Sequence, residues 1–136
     1  MVTDLGQRKP TILYVEDEGL IAVVVVEMLE DAGYDVIHTP DGQKAMTVLE
    51  AQAPDLAALV TDVRLPEGIK GWEIAQHARE LNPALPIVYV SGDSAAEWAA
   101  HGVPNSLMLQ KPFADGQLLA AVTTLLNDAA GRLPQS

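Results

Sequence analysis

Five short apolar runs recur along the chain, each followed by a segment of helical spacing, and that alternation admits few folds. Residues 11–15, 35–39, 56–61, 87–90 and 106–109 have the length and composition of strands. Helix candidates lie at 19–32, from Asp41 to the residue before Pro54, and at 72–81, 95–100 and 115–127. Asp41 is placed as an N-cap, and Gly33 just past the end of the first helix. Parallel strands need crossover connections, so the pattern predicts an α/β fold whose sheet is covered by helices on both faces. Ligands of such sheets bind beyond the carboxyl ends of the strands, where strand order reverses.

The first helix is the ambiguous element. Val23 to Val26 has strand composition, but the length of the segment and the stop at Gly33 decide for helix. Ile21, Val24, Val25, Met28 and Leu29 follow a helical stripe and are assigned to the core. Ala22, Val23 and Val26 then face outward, with Ala22 and Val26 one turn apart.

Composition removes several function classes. The chain has 136 residues and 49% hydrophobic content, which fits one folded domain with a real core. There is no Cys, hence no disulfide, thiolate metal site or thiol nucleophile. A net charge of -11 argues against nucleic-acid binding, because phosphates would be repelled. The longest apolar block, Leu20 to Val26, is too short to span a bilayer, and the N-terminus has no signal-peptide pattern. The expected location is the cytoplasm.

Five chemically active residues fall just after strand runs: Glu16, Asp17, Asp62, Ser91 and Lys111. The three carboxylates offer only hard oxygen ligands, which favour Mg²⁺, with Mn²⁺ as the alternative. A carboxylate can also act as a nucleophile and form an acyl phosphate. Lys111 and the Ser91 hydroxyl then supply contacts to phosphoryl oxygens. Each residue has a plainer reading. An Asp after a strand is commonly a cap, an acidic pair before a helix stabilises its dipole, and Ser91-Gly92-Asp93 makes a turn. Their common placement at strand ends is what favours a site.

The motifs Ile12-Leu13-Tyr14-Val15-Glu16-Asp17-Glu18, Leu59-Val60-Thr61-Asp62-Val63-Arg64-Leu65-Pro66, Val88-Tyr89-Val90-Ser91-Gly92 and Lys111-Pro112-Phe113 occur in order. Together they resemble the receiver domain of bacterial two-component response regulators over about residues 10–126. The resemblance implies a flavodoxin-like, doubly wound (βα)5 fold with strand order 2-1-3-4-5. It would occupy residues 10–129, between an N-terminal extension at 1–9 and a tail at 130–136. It makes Asp62 the phospho-acceptor, Ser91 the switch hydroxyl and Lys111 the phosphoryl contact. Mg²⁺ would be held by Glu16, Asp17, Asp62 and the backbone carbonyl of Arg64, and the Lys111-Pro112 bond would be cis.

The chain departs from the family pattern at Met108, where many receivers carry an aromatic switch residue; Tyr89 and Trp98 are the candidate substitutes. The loop from Pro66 to Gly71 is one residue longer than usual. Arg64 and Asp93 occupy positions that influence dephosphorylation in the family, and their opposite charges are suited to pairing across the site mouth. The implied phosphodonor is a histidine kinase or a histidine phosphotransfer protein. Ala22, Val26, Trp98 and Met108 are the candidate partner surface. No stretch after Asn127 is long enough for an output domain, so the expected output is contact with a downstream protein, from a monomer or weak homodimer.

Three other classes compete with this reading. An Mg²⁺-dependent aspartyl phosphatase would need a second Asp two residues after the nucleophile, where Arg64 stands. The chain is therefore expected to be no enzyme beyond its own phosphorylation and dephosphorylation. An interaction module that is never phosphorylated would have lost one of the key residues, and all are present. A flavodoxin-like cofactor binder would need a phosphate loop where Glu16-Asp17-Glu18 stands.

Overall fold

The computed structural model describes residues 9–93 and 95–132. Its elements are β1 (Thr11–Val15), α1 (Gly19–Asp31), β2 (Asp35–Thr39), α2 (Gly42–Gln52), β3 (Ala58–Asp62), α3 (Gly71–Leu81), β4 (Ile87–Ser91), α4 (Trp98–His101), β5 (Ser106–Gln110) and α5 (Asp115–Arg132). Short 3₁₀ turns precede β3, α3 and α4. The sheet runs β2-β1-β3-β4-β5 with every neighbouring pair parallel, which is the expected doubly wound order. Strand order reverses between β1 and β3, so a crevice opens at their carboxyl ends.

Alternate side chains of each strand feed two separate cores. Leu13, Val15, Leu59, Ile87 and Tyr89 pack under α2 and α3, against Ala45, Leu49, Ile74 and Ala78. Ile12, Tyr14, Val60, Val88 and Val90 pack under α1 and α5, against Val25, Leu29, Leu118 and Val122. Each fully buried aliphatic side chain contributes about 1.5–3 kcal/mol of transfer free energy. The sheet is therefore a rigid platform on which the strand-end residues are fixed.

Local signals hold in detail. The Asp41 carboxylate accepts from the Lys44 amide at 2.9 Å as the N-cap of α2. Gly33 has φ +103, and α1 closes with bonds from the Gly33 amide to the Glu30 carbonyl and from the Tyr34 amide to the Leu29 carbonyl. The Lys111-Pro112 bond is cis, as expected.

The differences lie at element ends and in the phase of α1. β3 starts two residues later than expected, because residues 53–55 form a 3₁₀ turn, and it takes in Asp62. β4 and β5 each gain one residue. The expected helix at 95–100 is a 3₁₀ turn followed by one α turn, and α5 runs on to Arg132. Residues 130–132, assigned to a tail, are therefore helical. Residues 1–8 of the expected extension and 133–136 of the expected tail lie outside the described residues.

On α1 the buried positions are Ala22, Val25 and Leu29, while Leu20, Val23 and Val24 are exposed at 87, 58 and 56%. The outward assignment of Ala22 was wrong, and Val24 does not face the core. Every residue from Leu20 to Val26 is apolar, so nothing polar marks the outer face and the sequence leaves the phase open. Val26 is half-buried against the second core, and the exposed apolar patch is Leu20, Val23 and Val24.

Candidate functional site

Four strands deliver the site. β1 runs directly into Glu16, which is fully buried, and then Asp17, which is exposed. β3 ends on Asp62 and β4 on Ser91, both buried, and Lys111 follows the last residue of β5. Among the described residues, Glu16, Asp17 and Asp62 form a cluster whose ligand oxygens lie within 4.8 Å of one another. Lys111 Nζ donates to Glu16 Oε1 and to Asp62 Oδ2, each at 2.9 Å. An open cleft of about 390 Å³ is walled by Asp17, Asp62, Arg64, Ser91 and Lys111.

The charge balance invites a cation. Three carboxylates face one ammonium, and Glu18 adds a fourth acidic group 3.9 Å from Lys111 Nζ. Burial pushes the Glu16 carboxyl above its ordinary range, against hydrogen bonds from Lys111 and from the Glu18 amide, while the Asp62 charge pushes it further up. Burial pulls the Lys111 ammonium down, but its bonds to Asp62 and Glu16 outweigh that and raise it overall. Oxygen-only donors, their close spacing and the exposure of Asp17 fit Mg²⁺.

The backbone at Asp62 is held tightly. The Thr61 hydroxyl donates to the Asp62 carbonyl at 2.8 Å, and the Gly71 amide donates to the Val63 carbonyl at 2.8 Å. Gly71 opens α3 directly against the Asp62 main chain, where a Cβ would collide with the Asp62 carbonyl. Ser91 Oγ accepts from the Asp93 amide at 3.2 Å. Asp93 Oδ1 in turn accepts from Arg64 Nε at 2.9 Å, so the expected pair across the site mouth is formed.

The expected switch and surface residues are placed less simply. Met108 is half-buried and pairs across the ladder with Tyr89. Tyr89 is fully buried, edge-on to Trp72, and its hydroxyl accepts from the Val103 amide at 3.1 Å. Trp98 is half-buried and donates from Nε1 to Ser106 Oγ at 3.0 Å. Both Met108 and Trp98 pack against the first core cluster. An apolar groove of about 540 Å³ lies beside Lys111, between Leu20 and Val24 of α1 and Pro112 and Phe113. Sequence reasoning missed Leu20 and Val24 there, because only the phase of α1 reveals them. It also missed His38, whose ring reaches the Glu16 carbonyl from β2.

The family model for the response regulator receiver domain matches residues 12–123. The chain belongs to that family. Among solved structures, a response regulator receiver protein from Sinorhizobium medicae WSM419 superposes with a TM-score of 0.87 at 41% identity, covering 90% of this chain and 98% of that one. The receiver domain of sensor histidine kinase PA1611 from Pseudomonas aeruginosa PAO1, solved with magnesium in its active-site cleft, gives 0.76 at 25% identity, covering 88% and 99%. The response regulator receiver protein CpdR of Brucella abortus (strain 2308) is 34% identical over 104 residues, 75% of this chain and 84% of that protein. The chain spans about half the length of the transcriptional regulators it matches. As a receiver domain of the two-component type, it carries an acidic cluster that fits the receiver Mg²⁺ site. No helix among the described residues is long and apolar enough to cross a membrane.

Proposed function

We propose that Asp62 accepts a phosphoryl group from a phosphohistidine of a kinase or phosphotransfer protein, and that the resulting acyl phosphate switches a protein-interaction surface. One Asp62 oxygen attacks phosphorus, the P–N bond breaks, and the imidazole leaves with the electron pair and takes up a proton. Lys111 already donates to Asp62 Oδ2 and can follow the added charge onto a phosphoryl oxygen. The Ser91 hydroxyl stands on the same rim as a donor for another oxygen. Mg²⁺, held by Glu16, Asp17, Asp62 and the Arg64 carbonyl, supplies neutralisation of phosphoryl charge when bound.

The observation that carries this reading is the meeting of a buried acceptor carboxylate, an acidic pair and a lysine at the strand-order switch point. Arg64 stands where a general acid for turning over outside substrates would sit, so the proposed chemistry is limited to the protein's own phosphorylation and dephosphorylation. Leu20 and Val24, which line the apolar groove beside Lys111, and the exposed Val23 of the same helix form the surface that would receive the donor. The proposed setting is the cytoplasm, with a downstream protein as the target.

The test is incubation with acetyl phosphate and Mg²⁺, followed by intact-mass measurement. Wild type is expected to gain one phosphoryl group, and Asp62→Asn or chelation of Mg²⁺ to prevent it. A wild type that gains nothing contradicts the proposal.

A further inference from the structure

β1 ends at Val15, and the chain must then turn its next two residues into the site. The first hold on this turn comes from the sheet: the Glu16 amide donates to the Thr39 carbonyl of β2 at 3.1 Å. β2 stops at Thr39, and the ladder supplies the Glu16 carbonyl with no backbone donor among the described residues. A carbonyl at a strand end needs a donor from elsewhere. Here it has one, since His38 Nε2 lies 2.8 Å from the Glu16 oxygen. A carbonyl only accepts, so Nε2 carries the proton in this contact.

The ring is seated for that contact. His38 and Tyr14 are ladder partners in β2 and β1, and their rings lie 5.7 Å apart at a tilt of 40°. The Tyr14 hydroxyl points to Glu16 Oε1 at 3.4 Å, and the Glu18 amide donates to Glu16 Oε2 at 3.2 Å. Glu16 is thus held at its amide, its carbonyl and its carboxylate. The Glu16 carbonyl belongs to the peptide unit that leads into Asp17. Holding that plane sets where the Asp17 Cα sits and so narrows the directions open to its carboxylate.

We infer that His38 is a positioning residue for the acidic pair, acting through the Glu16 carbonyl to aim Asp17 at the cation. The inference rests on the reading of this site as an Mg²⁺-dependent phosphoryl acceptor. His38 is exposed on an edge strand, so replacing it removes little core. Outer-shell partners of this kind typically change metal affinity by about tenfold or more.

The experiment is calorimetric titration of Mg²⁺ into wild type, His38→Leu and His38→Gln, with thermal unfolding of each protein without Mg²⁺. His38→Leu is expected to weaken Mg²⁺ binding about tenfold, with only a small fall in unfolding temperature. His38→Gln, whose amide can donate, is expected to recover part of the loss. Wild-type affinity in His38→Leu overturns the inference. So does a loss that tracks a lowered unfolding temperature and is not recovered by Gln. A wild type that binds no Mg²⁺ overturns the reading of the site itself, which separates the two failures.

Discussion

Lys111 is the residue on which the electrostatics of the rim turn. Its ammonium joins Glu16 and Asp62, two buried carboxylates that would otherwise face each other. Without Mg²⁺, Lys111→Met is expected to cost about 1–3 kcal/mol in chemical denaturation at neutral pH, because both acceptors lose a charged donor. The folded-state pKa of Lys111 is raised above its ordinary 10.5. Its contribution is therefore complete below 10.5 and declines as pH rises through the folded value. The gap between wild type and Lys111→Met should shrink above pH 10.5, and a gap that widens there would contradict the assignment.

Arg64 and Asp93 act at the mouth rather than the floor. Both side chains are exposed, at 57 and 61%, so their ion pair adds little to stability. On the proposed reading of the site, its consequence is for access of water to the acyl phosphate. Arg64→Ala is expected to shorten the phosphoryl lifetime roughly two- to fivefold, with Mg²⁺ affinity nearly unchanged. Single-turnover decay measures the first and calorimetry the second, and equal lifetimes would dismiss the pair as a barrier. The pairing was legible in the sequence because both residues lie two positions past strand-end site residues. The hold of His38 on Glu16 was not, since strand register must be known before a β2 side chain can be matched to a β1 carbonyl.

At the scale of elements, the helix caps and strands were readable because each carries a local signal. Asp41 has a free amide three residues on to accept from, and Gly33 supplies the left-handed backbone that closes α1. The phase of α1 carried no such signal, for the reason that seven successive apolar residues look alike from every side. Burial now separates Ala22, which touches the sheet, from Val24, which faces solvent beside the cleft. Val24→Asp is expected to leave the unfolding temperature within a degree or two while lowering the rate of phosphotransfer from a cognate donor. Ala22→Asp should do the reverse, destabilising by about 2–4 kcal/mol through a buried carboxylate. If Val24→Asp transfers at the wild-type rate, the exposed patch is not the donor surface.

For the whole molecule, the fold concentrates negative charge at one point and leaves a cation to balance it. Two cores clamp the sheet from both faces, so the strand-end carboxylates cannot relax apart. Mg²⁺ binding should therefore appear as global stabilisation, about 2.7 kcal/mol at a concentration one hundred times the dissociation constant. Thermal unfolding with and without Mg²⁺ measures this, and Asp17→Asn should reduce the difference.

The central claim is that Asp62, and not a neighbouring carboxylate, takes the phosphoryl group. Borohydride reduction of the phosphorylated protein, followed by peptide mass mapping, converts an aspartyl phosphate to homoserine and so reports its position. The expected result is homoserine at Asp62 alone, formed only when Mg²⁺ is present. Homoserine at Asp17, or reduction elsewhere with Asp62 intact, would contradict it.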